Sequence, residues 1–271
     1  MKRLVSQALE EDLGNGDITG GGLVGAPAIG RMVAEADIVV AGLEVAREVF
    51  SQVDPDVRFT PATHDGANAK PGDTLAELSG SGAALLAAER VALNFVQRMS
   101  GIASLTRAYV DSVSGNRAAI ADTRKTTPGL RMLEKYAVRT GGGRNHRMGL
   151  ADGILIKENH IALAGGMDKA VAAARALGSH GHRIEVETTT LDEVHQALDL
   201  GAEVIMLDNF DLAMMKEAVE LIGGRAVIEA SGGVNLDTVR PIAETGVDII
   251  SVGRLTHSAP AAEISMDICP A

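Results

Sequence analysis

Arg183-Ile-Glu-Val-Glu187, Val204-Ile-Met-Leu-Asp208-Asn209, Ala226-Val-Ile-Glu-Ala-Ser-Gly-Gly233 and Asp248-Ile-Ile-Ser-Val-Gly-Arg254 are four short apolar runs, each closing on a polar or glycine-rich cluster. Helical patterns such as Leu191–Leu200 and Asp211–Leu221 fill the gaps between them. The run ends fall at residues 187, 208, 231 and 251. Steps of about 20 residues accommodate one strand, one helix and two tight loops, which is a compact βα unit. Two earlier runs fit the same scheme: Ala118–Asp122 leading into Thr123-Arg124-Lys125, and Gly153–Ile156 leading into Lys157-Glu158-Asn159-His160. Six consecutive βα units predict a parallel barrel, and the absence of two more predicts an incomplete one.

The first hundred residues read differently. Val5–Leu13 is helical up to Gly14, Ile29–Val40 is strand-like, and Gly42–Val53 returns to helix. Pro71-Gly72-Asp73 marks a turn, and Ala83–Met99 is a strong helical pattern. On that helix Arg90, Asn94 and Arg98 recur every four residues, a polar stripe whose spacing alone predicts exposure to solvent.

Composition excludes several function classes. The chain has 271 residues, of which 46% are hydrophobic and 23% charged, enough for a sizeable core. There is no Trp, and only two Tyr and four Phe, too few for a nucleic-acid reader that stacks on bases. A net charge of −11 repels polyanions. The single cysteine, Cys269, forms no internal disulfide and suits a reducing compartment. Neither a secretory leader nor a membrane-spanning run is visible, so a cytoplasmic location is expected.

Against this acidic background, residues 117–157 hold nine basic residues and three acids. A local cationic zone of this kind predicts a small, highly charged anionic ligand, the alternative being a solvated helix face laced with salt bridges. In a barrel the catalytic groups sit at the C-terminal ends of the strands. Those positions carry Arg124, Lys125, Lys157, Glu187, Asp208, Ser231 and Gly253.

Each group suggests its own chemistry. Ser231-Gly232-Gly233 and Ser251-Val252-Gly253 follow the last two strands, where a glycine backbone approaches a ligand closely and late-strand loops hold a monophosphate. Glu187 and Asp208, on neighbouring strands, supply hard oxygens for Mg²⁺, act on a cationic transition state, or pair with Lys125 and Lys157. Arg124, His146, Arg147 and Lys157 suit a carboxylate-rich ligand. Gly141-Gly142-Gly143 precedes them as a loop lying over the ligand or as a simple turn. Lys157 also stands where barrel aldolases place a Schiff-base lysine, a second reading for the site. His160 and His257 lie just beyond strand ends, within reach of a ligand, while His180 and His182 read as solvent-exposed and His64 and His195 stand alone.

Several longer motifs are more specific. They are Asp122-Thr-Arg-Lys-Thr-Thr-Pro-Gly-Leu-Arg131, Gly141-Gly-Gly-Arg-Asn-His-Arg-Met-Gly-Leu150, Leu155-Ile-Lys-Glu-Asn-His-Ile161, Glu185-Val-Glu187, Ile205-Met-Leu-Asp-Asn-Phe210, Glu229-Ala-Ser-Gly-Gly233 and Ser251-Val-Gly-Arg-Leu-Thr-His-Ser258. With Ala8-Leu-Glu-Glu-Asp-Leu-Gly-Asn-Gly-Asp-Ile-Thr19 near the start, their order closely resembles the quinolinate phosphoribosyltransferases over nearly the whole chain. The resemblance implies a type II phosphoribosyltransferase with an N-terminal α/β sandwich domain (residues 1–102, joined by the tail 257–271) and an incomplete α/β barrel of six to seven strands (103–256). It implies transfer of phosphoribose from 5-phosphoribosyl-1-pyrophosphate to quinolinate with loss of CO₂, as a step of NAD biosynthesis. It also implies a homodimer in which each subunit donates Arg90 to its partner's site.

Residue by residue, the resemblance assigns Arg124, His146, Arg147 and Lys157 to the quinolinate carboxylates. Lys125, Glu187 and Asp208 go to the phosphoribosyl pyrophosphate and Mg²⁺ as the catalytic set. Ser231, Gly232, Gly233 and Gly253 go to the 5-phosphate, with Thr123 and His257 among the substrate contacts. Arg254 departs from the pattern, its position being more often small. The molybdenum-transport-associated phosphoribosyltransferases, acting on another base, share part of the Asp-Thr-Arg-Lys motif and are the alternative family.

Overall fold

The computed structural model describes every residue except Val24 and His180, so the predicted exposure of His180 falls outside the described residues. Along the chain the elements are α1 (Lys2–Leu13), β1 (Pro27–Ala34), β2 (Ile38–Val39), α2 (Leu43–Val53), β3 (Arg58–Pro61), β4 (Asn68–Ala69), β5 (Thr74–Ser81), α3 (Gly82–Ser112), β6 (Ala119–Ala121), α4 (Arg131–Thr140), β7 (Ile154–Ile156), α5 (Glu158–Ala164), α6 (Met167–Leu177), β8 (Ile184–Thr188), α7 (Leu191–Asp199), β9 (Val204–Asp208), α8 (Leu212–Ile222), β10 (Val227–Ser231), α9 (Val239–Ala243), β11 (Ile249–Ser251), α10 (Arg254–His257) and β12 (Ile264–Pro270). They form two compact units. The first comprises Met1–Arg107, Thr127–Gly142 and Ser258–Ala271, and the second Ala108–Thr126 and Gly143–His257. Among the described residues, no helix is long and apolar enough to cross a membrane.

The first unit is built on an antiparallel sheet of order β12-β1-β5-β3. The run read as one strand over Ile29–Val40 is two: β1 ends at Ala34, and β2 pairs with β4 in a separate ribbon. The break is held from the side, because Ala34 donates its N–H to the Asp73 carbonyl and accepts from Gly72 N–H. Helix α2 buries Leu43, Val45, Ala46, Val49 and Phe50. The Asp65 carboxylate satisfies the open N–H groups of Gly42 and Leu43 at its start.

Helix α3 continues thirteen residues past Met99, where the sequence pattern stops. Ser100 and Ser104 account for part of the extension. Their hydroxyls accept the N–H groups of Ala41 and Val39, at 3.0 and 2.8 Å. Gly101 accounts for the rest, since a Cβ there would collide with the Pro260 carbonyl of the passing tail. Helix α4 brings Glu134 against Arg98, and that pair corrects the solvated stripe: Arg90 and Asn94 are exposed, but Arg98 is not. Glu134, 1% exposed, accepts from Arg98 Nη2 (2.7 Å) and from Thr127 N–H (3.0 Å), while Arg98 Nη1 donates to the Ala259 carbonyl. Replacing Glu134 by Gln keeps the shape but removes the charge, and one amide hydrogen then meets a donor. The expected cost is about 2 kcal/mol, a fall in Tm of roughly 5 °C, read by thermal unfolding.

The second unit is the barrel. Its sheet holds six parallel strands in the order β6-β11-β10-β9-β8-β7. The ends, β6 and β7, do not pair with each other, so the barrel is incomplete as expected. Arg144 bridges Ala121 on the free side of β6. Helices α7 and α8 start where capping demands: the Thr190 hydroxyl and the Asp211 carboxylate accept the first free N–H groups.

Candidate active site

Sheet register sets which side chains reach the barrel mouth. Ser231 pairs with Asp208, Ile250 with Ala230, Glu187 with Met206 and Ile156 with Val186. Side chains alternate along each strand, so Glu187, Asp208, Ser231 and Lys157, nearest the strand ends, share the inward face with Glu185, Met206, Glu229 and Leu155, each two residues earlier on its strand. A cavity of about 460 Å³ opens on this face. Its walls include Thr123, Arg124, Lys125, His146, Arg147, Lys157, Glu187, Asp208 and Ser231. A second cavity of about 250 Å³ shares Thr123, Lys125, Ser231 and Ser251 with the first and adds Gly232, Gly233, Gly253 and His257. Of the fourteen residues singled out in the sequence, only Arg90 lies elsewhere, exposed on α3 in the first unit. The cationic zone is narrower than its sequence span: four of its nine basic residues line the main cavity. Arg117 instead pairs with Asp248, and Lys135 is buried in α4.

The cluster of Arg124, His146 and Arg147 is braced from behind. Asp122, fully buried at the end of β6, accepts His146 N–H (2.8 Å) and an Asn145 amide hydrogen (2.6 Å). Arg147 Nη1 donates to the Gly153 carbonyl at 3.0 Å. Burial, with the Arg124 guanidinium next in weight, pulls the Arg147 pKa below its ordinary value, and Glu185 opposes the shift. Two guanidiniums held this close favour a ligand that brings negative charge.

His146 is spoken for at both nitrogens. Nδ1 accepts the Arg147 N–H at 2.8 Å, so Nε2 carries the proton and points at Glu185 Oε2, 3.1 Å away.

Glu187 pairs with Lys157 rather than standing free, which is one of the pairings the sequence allowed. That contact holds Lys157 against a carboxylate, unlike an isolated amine nucleophile. Asp208 accepts from the Asn209 side-chain amide instead of from Lys125. Asn209 has φ 58°, a left-handed conformation rare outside glycine, and its N–H donates to the Ser231 carbonyl. Gly232, at φ 96°, packs directly on Asn209, and any Cβ there would strike it. A Cβ on Gly253 would crowd Lys125 and His257 at 3.1–3.2 Å, so the second cavity is lined by bare backbone where those two side chains converge.

Sequence reasoning missed three contributors. Thr256, fully buried, donates its hydroxyl to the Lys125 carbonyl at 2.8 Å and ties α10 to the first rim loop. Glu185 and Glu229 lie below the rim around His146. The signal for both was the two-residue spacing from Glu187 and from Ser231, which puts each pair on one face of its strand. His160, by contrast, turns its Nδ1 to the Lys157 N–H and caps α5.

Residues 102–267 match the family model described as quinolinate phosphoribosyl transferase, C-terminal domain, and residues 17–100 match the N-terminal domain model. The chain is 44% identical over 269 residues to a probable nicotinate-nucleotide pyrophosphorylase (carboxylating) of Bacillus subtilis, covering 99% of this chain and 93% of that protein. It is 42% identical over 289 residues to a mitochondrial quinolinate phosphoribosyltransferase (decarboxylating) of Nicotiana tabacum, with 99% and 82% covered. Among solved structures, the nicotinate-nucleotide pyrophosphorylase from Francisella tularensis superposes with a TM-score of 0.96 at 40% identity, covering 99% of this chain and 95% of that one. With its rim geometry, its two matching domain models and full-length relatives of this kind, the chain belongs to the quinolinate phosphoribosyltransferase family.

Proposed function

We propose that the protein transfers phosphoribose from 5-phosphoribosyl-1-pyrophosphate to the ring nitrogen of quinolinate, releasing pyrophosphate and CO₂ and leaving nicotinate mononucleotide. One observation carries the assignment of parts: a cationic cavity and a glycine-lined cavity share Thr123, Lys125, Ser231 and Ser251, so a charged ring and a sugar phosphate fit side by side. Arg124, Arg147 and Lys157 hold the two carboxylates and aim the ring nitrogen at the ribose, which supplies proximity. His146 stands among them, its Nε2–H already given to Glu185, so it acts by filling and orienting the wall. Gly232, Gly233, Gly253 and Ser231 offer backbone and hydroxyl donors to the 5-phosphate, with His257 beside them.

As the bond to pyrophosphate lengthens, C1 of the ribose becomes oxocarbenium-like. Glu187 and Asp208, anions on the rim, stabilise that charge, and Lys125 takes up the charge of the departing pyrophosphate. The same two carboxylates are hard oxygen donors one strand apart, a donor set that fits Mg²⁺. Held by Glu187 and Asp208, such an ion would further neutralise the charge of the departing pyrophosphate. A quaternised ring nitrogen then serves as the electron sink for loss of the 2-carboxylate.

The single cysteine suits a reducing compartment, and a cytoplasmic homodimer with Arg90 reaching the partner's site is the setting proposed. Following pyrophosphate and CO₂ in one assay tests the chemistry: equal amounts of both are expected, and pyrophosphate without CO₂ would assign another base. Mixing Arg90→Ala and Arg147→Ala proteins, at quinolinate held near the wild-type KM where Arg147→Ala turns over little, tests the dimer. Subunit exchange is expected to regain up to about a quarter of wild-type activity, since half the dimers are hybrids with one intact site. No recovery after proven exchange would place Arg90 in its own subunit's chemistry or in none.

A further inference from the structure

Glu229 sits in the middle of β10, two residues below Ser231 on the barrel-facing side. It is 2% exposed, yet it lines the main cavity. Its Oε1 is buried without a hydrogen-bond partner, with His146 Nε2 lying 3.6 Å away. Every element around it contributes a neighbour: Glu185 from β8, Lys157 at the end of β7, Ser251 from β11, His146 from the segment beside β6, and the neutral Met206 level with it on β9.

His146, Glu185 and Glu229 present ligating atoms within 4.8 Å of one another. His146 offers no free lone pair to a resident metal cation there, because its Nδ1 accepts the Arg147 N–H and its Nε2–H points at Glu185. Two carboxyls this close and this buried relieve their repulsion by keeping a proton instead. Burial, then the Glu185 charge, push the Glu229 pKa up to about 7, against the opposing pull of His146, Ser251 and Lys157. The buried, unpartnered oxygen of Glu229 therefore faces the ligand space in its acid form near neutral pH.

Building on the quinolinate assignment, we propose that Glu229 is the acid that delivers the proton to ring C2 when the 2-carboxylate departs. As the bond from C2 to the carboxyl carbon breaks, its electron pair takes the Glu229 O–H proton in the same step, making the C2–H bond of the product and a Glu229 carboxylate while the carboxyl carbon leaves as CO₂. His146 Nε2–H and Lys157 stabilise the new charge until water returns the proton before the next turnover.

The test separates the two products in a single turnover of the full-length protein, with quinolinate labelled in its 2-carboxyl group, 5-phosphoribosyl-1-pyrophosphate and Mg²⁺. Glu229→Gln is expected to release pyrophosphate within a few-fold of the wild-type rate but CO₂ about 100-fold more slowly, with the carboxylated nucleotide accumulating. Glu229→Asp is expected to recover part of the CO₂ step. Wild-type CO₂ release should slow as pH rises above about 7, a limb that Glu229→Gln lacks. It should also slow at least about twofold in D₂O while pyrophosphate release does not, a readout that needs no variant to fold. Equal loss of both products in Glu229→Gln, a raised quinolinate KM with turnover unchanged, or no solvent isotope effect on the wild-type CO₂ step would overturn the role. A wild type that releases neither product would overturn the quinolinate assignment instead.

Discussion

Replacing Arg147 by alanine raises the KM for quinolinate roughly 200-fold and leaves turnover at saturation within a few-fold of wild type. The magnitude corresponds to about 3 kcal/mol, the usual cost of deleting one side of a buried, charge-assisted pair. The guanidinium is half-buried, fixed to the Gly153 carbonyl by Nη1, and its Nε is buried without a hydrogen-bond partner. A side chain held so firmly makes the same contact to a carboxylate before and during the reaction, so its loss weakens ground state and transition state together. Arg147→Lys should recover only part of the affinity, because an ammonium lacks the two-pronged fit. Steady-state kinetics with quinolinate varied at saturating co-substrate reads the effect, and an unchanged quinolinate KM in Arg147→Ala would remove the arginine from the binding site.

Asp208→Ala acts on the other parameter. The expected result is a fall in kcat of roughly 1000-fold with a quinolinate KM close to wild type, about 4 kcal/mol of transition-state stabilisation. Asp208 ends β9 level with Ser231, and the Asn209 amide holds one of its oxygens, so its orientation is set before substrate arrives. Asp208→Asn keeps that shape and loses the charge, and it should be nearly as slow as the alanine variant. Near-normal turnover in Asp208→Asn would mean that shape, and not charge, is what the position contributes.

The barrel was legible because its strands are short, nearly uniform in spacing and closed by polar clusters. Register then carries the reading from strand ends to a shared rim without further information. Where the sequence misled, the missing partner was distant in the chain. Arg98 reads as solvated until Glu134 is placed beside it, 36 residues on. Ser100-Gly101 reads as a helix stop until the Pro260 segment is seen to need the room. The strand-like run over Ile29–Val40 hides its break because the residues that hold it, Gly72 and Asp73, belong to a later turn. Glu185 and Glu229 escaped notice for another reason. Charges on strands normally face water, and only a barrel with a ligand cavity at its centre gives two glutamates an inward place.

The way the chain is apportioned has a practical consequence. Three separate stretches make the first unit and two make the second, with α4 and the strand β12 both returned to the first after the barrel has begun or ended. No single cut in the gene yields either unit whole. A domain-exchange chimera must therefore graft five pieces at four junctions, and two of those junctions, after Thr126 and after His257, fall within two residues of the cavity-lining Lys125 and His257.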